Sequence, residues 1–253
     1  MSKLIFLLIS TLLVALTFSK SNYKVTANTT NSSSISLTLS YTGSDDYYVK
    51  PTSPIIKTLH FYFHCMTFGD FSFKISDPNN KRFEVPQKGV FPIDPIAGFS
   101  FPISASAVNF TYTADPFDFR IVRKQNGAVL FSTYDQNIIF SDHYLEIGTE
   151  VSSDYIYGIG ERFLTSFRKT DGKWTIFNRD RGQVLDHGEG RQTYGYYPFY
   201  MLREKNNLFH INYFRSSNAM DIIKSTNSNK HAITYKVIGG VLDFRFFIGE
   251  QSP

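Results

Sequence analysis

The sequence predicts an all-β protein, built as a large antiparallel β-sandwich. Three observations carry this. Apolar residues alternate with a period of two from about residue 33 onward. Phe, Tyr and Trp make up 17 % of the 253 residues, while alanine, the best helix former, is scarce. Gly, Asn and Pro break the apolar runs at intervals of roughly 8–12 residues, the rhythm of sandwich strands. The aromatic content excludes a disordered chain, and a lone Cys65 excludes a disulfide scaffold. A chain this long holds one large β domain or one α/β barrel, but hardly both.

The first segment, residues 1–19, reads as a secretory signal peptide. Lys3 supplies the positive start, Leu4 to Phe18 is the apolar run, and Ser19 is a small residue for cleavage. The run is shorter than the ~20 residues that span a bilayer. No later segment approaches that length, so no membrane is expected after signal cleavage. Residues 20–253 are then the mature domain, expected in the secretory pathway and destined for the exterior or a lysosomal or vacuolar lumen. Secretory entry gives meaning to three Asn-x-Ser/Thr sequons, at Asn28, Asn31 and Asn109. The alternative for each is chance in an Asn- and Ser-rich chain.

The strands follow in order. Ile35, Leu37, Leu39 and Tyr41 share one face of the first clear strand. Leu59, Phe61, Phe63 and Cys65 share one face of the next, which makes Cys65 a buried small side chain. Phe71, Phe73 and Ile75 follow. Asn126-Gly127 lies between two apolar runs and predicts a hairpin with a type I′ turn. Later strands are expected in the runs from Asn137, Leu208, Ala232 and Val241. In the last of these Leu242, Phe244, Phe246 and Ile248 share a face.

Two stretches break the rhythm. One carries Pro78, Pro86, Pro92, Pro95 and Pro102 and reads as irregular connection. The other, from Thr165 to Tyr197, is polar and holds Gly172, Gly182, Gly188, Gly190 and Gly195. A loop that long in a compact β domain is usually functional or disordered. The overlapping window from Arg162 to Arg181 is basic, with Arg162, Arg168, Lys169, Lys173, Arg179 and Arg181 against Asp171 and Asp180. With a secretory signal and no nucleic-acid-binding motif, a solvated or interface-facing loop is the better reading than a nucleic-acid partner.

Several chemistries fail on spacing. Gly158-Ile-Gly160 begins like a dinucleotide loop, but position 163 is Phe and no helix follows, so a tight turn between strands is expected. His60 and His64 would lie about 13 Å apart on one strand, too far for one metal. No metal site, no cofactor and no nucleophile elbow are read. Glycosidic chemistry needs two carboxylates roughly 5–9 Å apart, and spacing alone pairs none.

Beyond composition stands a collinear series of motifs. These are Tyr155-Ile-Tyr-Gly-Ile-Gly-Glu161, Trp174-Thr-Ile-Phe-Asn-Arg-Asp180, Tyr194-Gly-Tyr-Tyr-Pro-Phe-Tyr200, Ser217-Asn-Ala-Met-Asp221 and Ile238-Gly-Gly-Val-Leu-Asp-Phe244. Upstream lie Asp115-Pro-Phe-Asp-Phe-Arg-Ile121 and Phe140-Ser-Asp-His-Tyr-Leu-Glu146. The series resembles the N-terminal β-sandwich of family 31 glycoside hydrolases, of the maltase, sucrase-isomaltase and lysosomal α-glucosidase type. It covers roughly residues 35–253 and is strongest over 110–253.

The resemblance implies a galactose-mutarotase-like sandwich that packs against a (β/α)8 barrel. Family members hydrolyse terminal α-linked glucose with retention, using two barrel carboxylates. No Trp-x-Asp-Met-Asn-Glu block is present, so the catalytic barrel is expected to be absent, the chain to end at the linker into it, and no catalytic residue to lie here. Whether the chain is an enzyme stays open, with inactivity alone expected. The family's loop aspartate that bonds a substrate hydroxyl matches Asp180; the other reading is a solvated turn aspartate. Trp174 is either a sugar-stacking platform or a core anchor. Glu161, Asn218, Asp221 and Asp243 read as structural. The implied partners are an α-glucoside or oligosaccharide and the barrel. The alternative is a stand-alone secreted carbohydrate-binding module. Fold analogy alone offers a mutarotase-like reaction with His187 or His210 as base.

Overall fold

The computed structural model describes residues 21–44, 53–86, 98–162, 166–178 and 190–249. The segment read as a signal peptide lies outside them. One layer is an eight-stranded antiparallel sheet. Its order is β1 (Tyr23–Thr30), β2 (Ser34–Tyr41), β3 (Thr58–Cys65), β4 (Asp70–Ser76), β16 (Leu242–Ile248), β13 (Phe209–Phe214), β12 (Phe199–Arg203) and β10 (Ile156–Gly158). Two sheets make the facing layer. One is five-stranded, in the order β11 (Gly172–Ile176), β14 (Met220–Asn227), β15 (Lys230–Val237), β9 (Leu145–Val151) and β8 (Ile138–Phe140). The other joins β5 (Val108–Ala114), β6 (Phe117–Arg123) and β7 (Val129–Ser132).

The period-two pattern explains why these residues stack as layers. On β3, Leu59, Phe61, Phe63 and Cys65 are fully buried while Tyr62 between them is exposed. Burial raises the pKa of the Cys65 thiol, which suits an inert core residue. Aromatic rings knit the layers together. Phe73 of the large sheet lies 4.9 Å from Phe119 and from Phe131 of the three-stranded sheet. Tyr235 of the five-stranded sheet lies 5.1 Å from Phe244 and 5.4 Å from Phe214. One core cluster therefore runs under both halves of the facing layer. Each such ring contributes about 1.5–3 kcal/mol by burial alone.

The turn at Asn126-Gly127 differs from the sequence expectation. The amide of Gly127 bonds the carbonyl of Arg123 at 3.0 Å, and the amide of Arg123 bonds Ala128 at 2.9 Å. Of the two turn residues only Gly127 has positive φ, at 70°. The loop between β6 and β7 is therefore longer than two residues and needs one left-handed position, not two. The two-residue type I′ geometry occurs instead between β14 and β15, where Ser228 and Asn229 have φ of 47° and 68° and Asn227 pairs with Lys230. Ser-Asn is a weaker sequence signal than Asn-Gly, which is why it escaped notice.

Candidate functional site

β10 and β11 are each the outermost strand of their own sheet. The connection between them therefore crosses from one layer to the other and closes one edge of the sandwich. This edge carries the long Gly-rich polar segment. Its path begins with three consecutive positive φ values, Gly158 at 105°, Ile159 at 58° and Gly160 at 76°. A β-branched residue rarely adopts that conformation, which costs it about 1–2 kcal/mol. Two forces hold Ile159 there. Its side chain is fully buried, and its amide bonds the carbonyl of Phe199 at 2.8 Å. The chain bends sharply here, but the next strand begins only at Gly172 in the other layer, so the tight strand-to-strand turn expected from sequence is replaced by a long crossing connection.

Arg162 is the hub of the edge. Its guanidinium donates to three backbone carbonyls, Ile159 at 2.7 Å, Gly190 at 2.9 Å and Thr175. These belong to the turn after β10, the far end of the polar segment and β11. The carbonyls supply no full negative charge, and burial lowers the pKa of Arg162 to about 10. Gln192 adds a second tie, accepting from the Phe177 amide at 2.6 Å and donating to Gly195 at 3.2 Å. Glu161 accepts from the amide of Gly195, so its role is structural, as the sequence suggested. A cavity of about 650 Å³ opens beside these groups, lined among others by Arg162, Lys173, Trp174, Phe177 and Gln192.

Trp174 sits on β11, partly buried, with its indole nitrogen donating to Thr170 at 3.1 Å. The guanidinium of Arg162 lies 5.4 Å and the amine of Lys169 5.2 Å from its ring centroid. Trp174 thus both packs on the core and lines the cavity. A separate clasp fixes the segment from outside. The Lys224 amine, 2 % exposed, bonds Asp154 and Asp171 at 2.5 Å each, and Arg168 joins Asp154. The bond from Lys224 holds the Asp171 carboxyl below its usual range.

Asp180, the residue singled out for sugar binding, lies outside the described residues, as does His187. His210 is described and is 1 % exposed. Its Nδ1 faces Glu204 at 2.8 Å inside the core, so it meets no sugar and the mutarotase-like reading loses that base. Asp221 accepts from the Thr175 hydroxyl, Asp243 pairs with Arg215 at 2.9 Å, and Asn218 donates to Gly239 at 3.2 Å. These three are structural. Asn28 and Asn109 lie on exposed strand positions and Asn31 in the turn after β1. The Arg162 hub and Lys169 were missed from sequence, because each lay in a basic run whose members looked equivalent.

The fold is that of a double-layered antiparallel sandwich with one edge sealed by a basic, aromatic loop cluster, and comparisons give its relatives. No protein-family model matches the chain. Among curated proteins, lysosomal acid α-glucosidase of Tetrahymena pyriformis is 32 % identical over 230 residues, covering 90 % of this chain and 24 % of that protein. Human intestinal sucrase-isomaltase is 37 % identical over 187 residues, covering 71 % of this chain and 9 % of that protein. Among solved structures, the glucosidase II alpha subunit gives a TM-score of 0.68 at 10 % identity, covering 91 % of this chain and 33 % of that one. A GH31 dextranase of Flavobacterium johnsoniae gives 0.63 at 13 % identity, covering 92 % and 27 %. The curated relatives are α-glucosidases and sucrase-isomaltases, and the solved neighbours, family 31 glycoside hydrolases among them, share the fold of this β-sandwich. It spans a quarter or less of the length of the first curated relatives.

Proposed function

We propose that this chain serves as the N-terminal sandwich of an α-glucosidase-like hydrolase, acting on terminal α-linked glucose together with a (β/α)8 barrel. The observation that carries this is the match to lysosomal acid α-glucosidase at 32 % and to intestinal sucrase-isomaltase at 37 % identity. In this reading the sandwich itself performs no bond cleavage. Asp180, which follows Phe177 and precedes Gly190 in sequence, is the residue proposed to bind the substrate sugar. An ionised carboxylate there accepts hydrogen bonds from vicinal sugar hydroxyls. Trp174 offers an aromatic face on the sealed edge. The secretory leader at 1–19, glycans at Asn28, Asn31 and Asn109, and an extracellular, lysosomal or vacuolar site complete the proposal.

The purified chain tests it directly. No turnover of a chromogenic α-glucoside is expected, since no catalytic carboxylate pair is assigned to it. Turnover abolished by Asp180→Ala would overturn the non-catalytic role. The second reading, a stand-alone carbohydrate-binding module, is favoured by the cavity beside Trp174. Calorimetric binding of maltose, starch or glycogen by the chain alone would support it. No binding at millimolar sugar would remove it.

A further inference from the structure

The large sheet has two different exteriors. On β2 and β4 the side chains turned away from the core include Ser36, Thr38, Ser72 and Ser76, the small polar set that a solvated face requires. On β10, β12, β13 and β16 the outward positions are mostly apolar instead. Tyr157 stands opposite Met201, Met201 opposite Ile211, and Ile211 opposite Phe247. Directly opposed residues lie about 4.5–5.5 Å apart on one face, so these four make a continuous row across four strands. A second row, two residues along, runs from Phe199 through Tyr213 to Arg245. None of the seven is buried, and Phe199 and Phe247 are 37 % and 36 % exposed. Inward, the same strands bury Leu202, Phe214 and Phe246 in the core. Strands that are apolar on both faces belong to a layer covered on both sides. Aromatic, Met and Arg side chains are the set enriched where proteins meet proteins. Met201 and Ile211 at the centre offer a sugar hydroxyl nothing to bond.

We propose that this outer face of β10, β12, β13 and β16 is a docking surface, covered by an apolar surface of the domain that follows the sandwich in the full-length relatives. β16 lies on the face itself, and past Phe247 the chain leaves the sheet through Ile248 and Gly249. A domain joined there starts beside the row and meets it at high effective concentration. The relatives are long enough to hold one. This chain covers 24 % of the lysosomal acid α-glucosidase and 33 % of the glucosidase II alpha subunit. The choice of occupant rests on the reading of the chain as one part of a larger hydrolase. The need for a cover rests on the two rows alone.

The test is oxidation by hydrogen peroxide, mapped by peptide mass spectrometry. It compares the chain alone with the chain fused to the remaining length of the Tetrahymena relative. Met66 and Met220 are buried and act as slow internal standards, whereas Met201 is half-buried on the outer face. In the chain alone Met201 should form sulfoxide faster than either standard. In the fusion its rate should fall at least ~10-fold, toward theirs. Ile211→Lys should restore fast oxidation of Met201 in the fusion and leave the thermal midpoint of the chain alone in place. Thr38→Lys, on the polar half of the sheet, should change neither. An unchanged Met201 rate in a folded fusion would overturn the proposal. So would slow oxidation of Met201 in the chain alone, eluting as a dimer, because the occupant is then a second copy. If Met201 is protected but the fusion fails to hydrolyse maltose, the hydrolase reading falls and the docking face stands.

Discussion

The Nε of Arg162 donates to the carbonyl of Ile159 at 2.7 Å, and Ile159 holds a left-handed φ of 58° with its side chain fully buried. The cation is thus bonded to the backbone at its most strained point. Arg162→Ala removes three donors from half-buried carbonyls and unties the turn, the polar segment and β11 together. Hydrogen bonds of a charged group contribute about 1.5–3 kcal/mol each when buried, with shared effects, so a loss of roughly 3–5 kcal/mol is expected. Urea denaturation measures it. Arg162→Lys should recover little, because an ammonium cannot reproduce the planar fork.

Two of the glycines with positive φ, Gly158 and Gly127, should respond differently to alanine. At Gly158, φ is 105° and an added Cβ would meet the Phe199 carbonyl at 2.7 Å. At Gly127, φ is 70° and nothing lies within 4 Å. Gly127→Ala should cost about 1 kcal/mol, the conformational penalty alone. Gly158→Ala should cost clearly more, ~2–4 kcal/mol, as clash adds to conformation. Equal losses in thermal melts would show that backbone approach at Gly158 is not limiting.

A buried triad gives the fold its acid sensitivity. Glu204 accepts from Arg123 at 2.8 Å, Asn126 at 2.9 Å and His210 Nδ1 at 2.8 Å. Burial would raise its pKa, yet these donors hold it at about 2. Burial lowers the pKa of His210, with Glu204 only partly opposing. Arg123 therefore supplies the countercharge, and His210 is neutral with its Nδ1–H donated to the carboxylate. In the unfolded chain His210 takes up a proton below pH 6.5, which the folded chain resists, so stability falls as pH drops through that value. A second decline follows between about 4.5 and 2 as the unfolded chain protonates Glu204. His210→Gln should flatten the slope between about pH 7 and 5, where one proton accounts for at most about 1.4 kcal/mol per pH unit.

Among the sequons, Asn31 should carry glycan before Asn28. The Asn28 amide nitrogen, the atom to be glycosylated, donates to the Tyr112 hydroxyl at 2.9 Å from within β1. In Asn31 only the carbonyl oxygen is engaged, accepting from the amides of Ser33 and Ser34 at 2.9 and 2.8 Å. Expressed through a secretory pathway, Asn31→Gln should remove a glycosidase-sensitive mass shift that Asn28→Gln leaves in place. The reverse pattern would show that the turn around Asn31 is closed to the transferring enzyme.

How much of this was readable in sequence follows the physics of each element. Alternation exposed the strand faces, because Leu59, Phe61, Phe63 and Cys65 must share one side whatever they pair with. Alternation is blind to pairing partners. It could not show that β16 lies between β4 and β13, or that β10 and β11 end in different sheets. The Asn-Gly turn misled because the same dipeptide also ends a longer loop. At the candidate site, motif order pointed to Trp174 and Asp180, while Arg162 and Lys169 become distinct only when folding buries one against carbonyls and the other against an indole.

The proposed role of the loop in a sugar site is open to direct measurement. The direct measurement uses this chain fused to the remaining length of the Tetrahymena relative, assayed on maltose. Asp180→Ala should lower kcat/KM by about tenfold or more, the loss of a charged hydrogen bond of ~1.5–3 kcal/mol, with the thermal midpoint unchanged. An unchanged kcat/KM in a folded, active fusion would contradict the account.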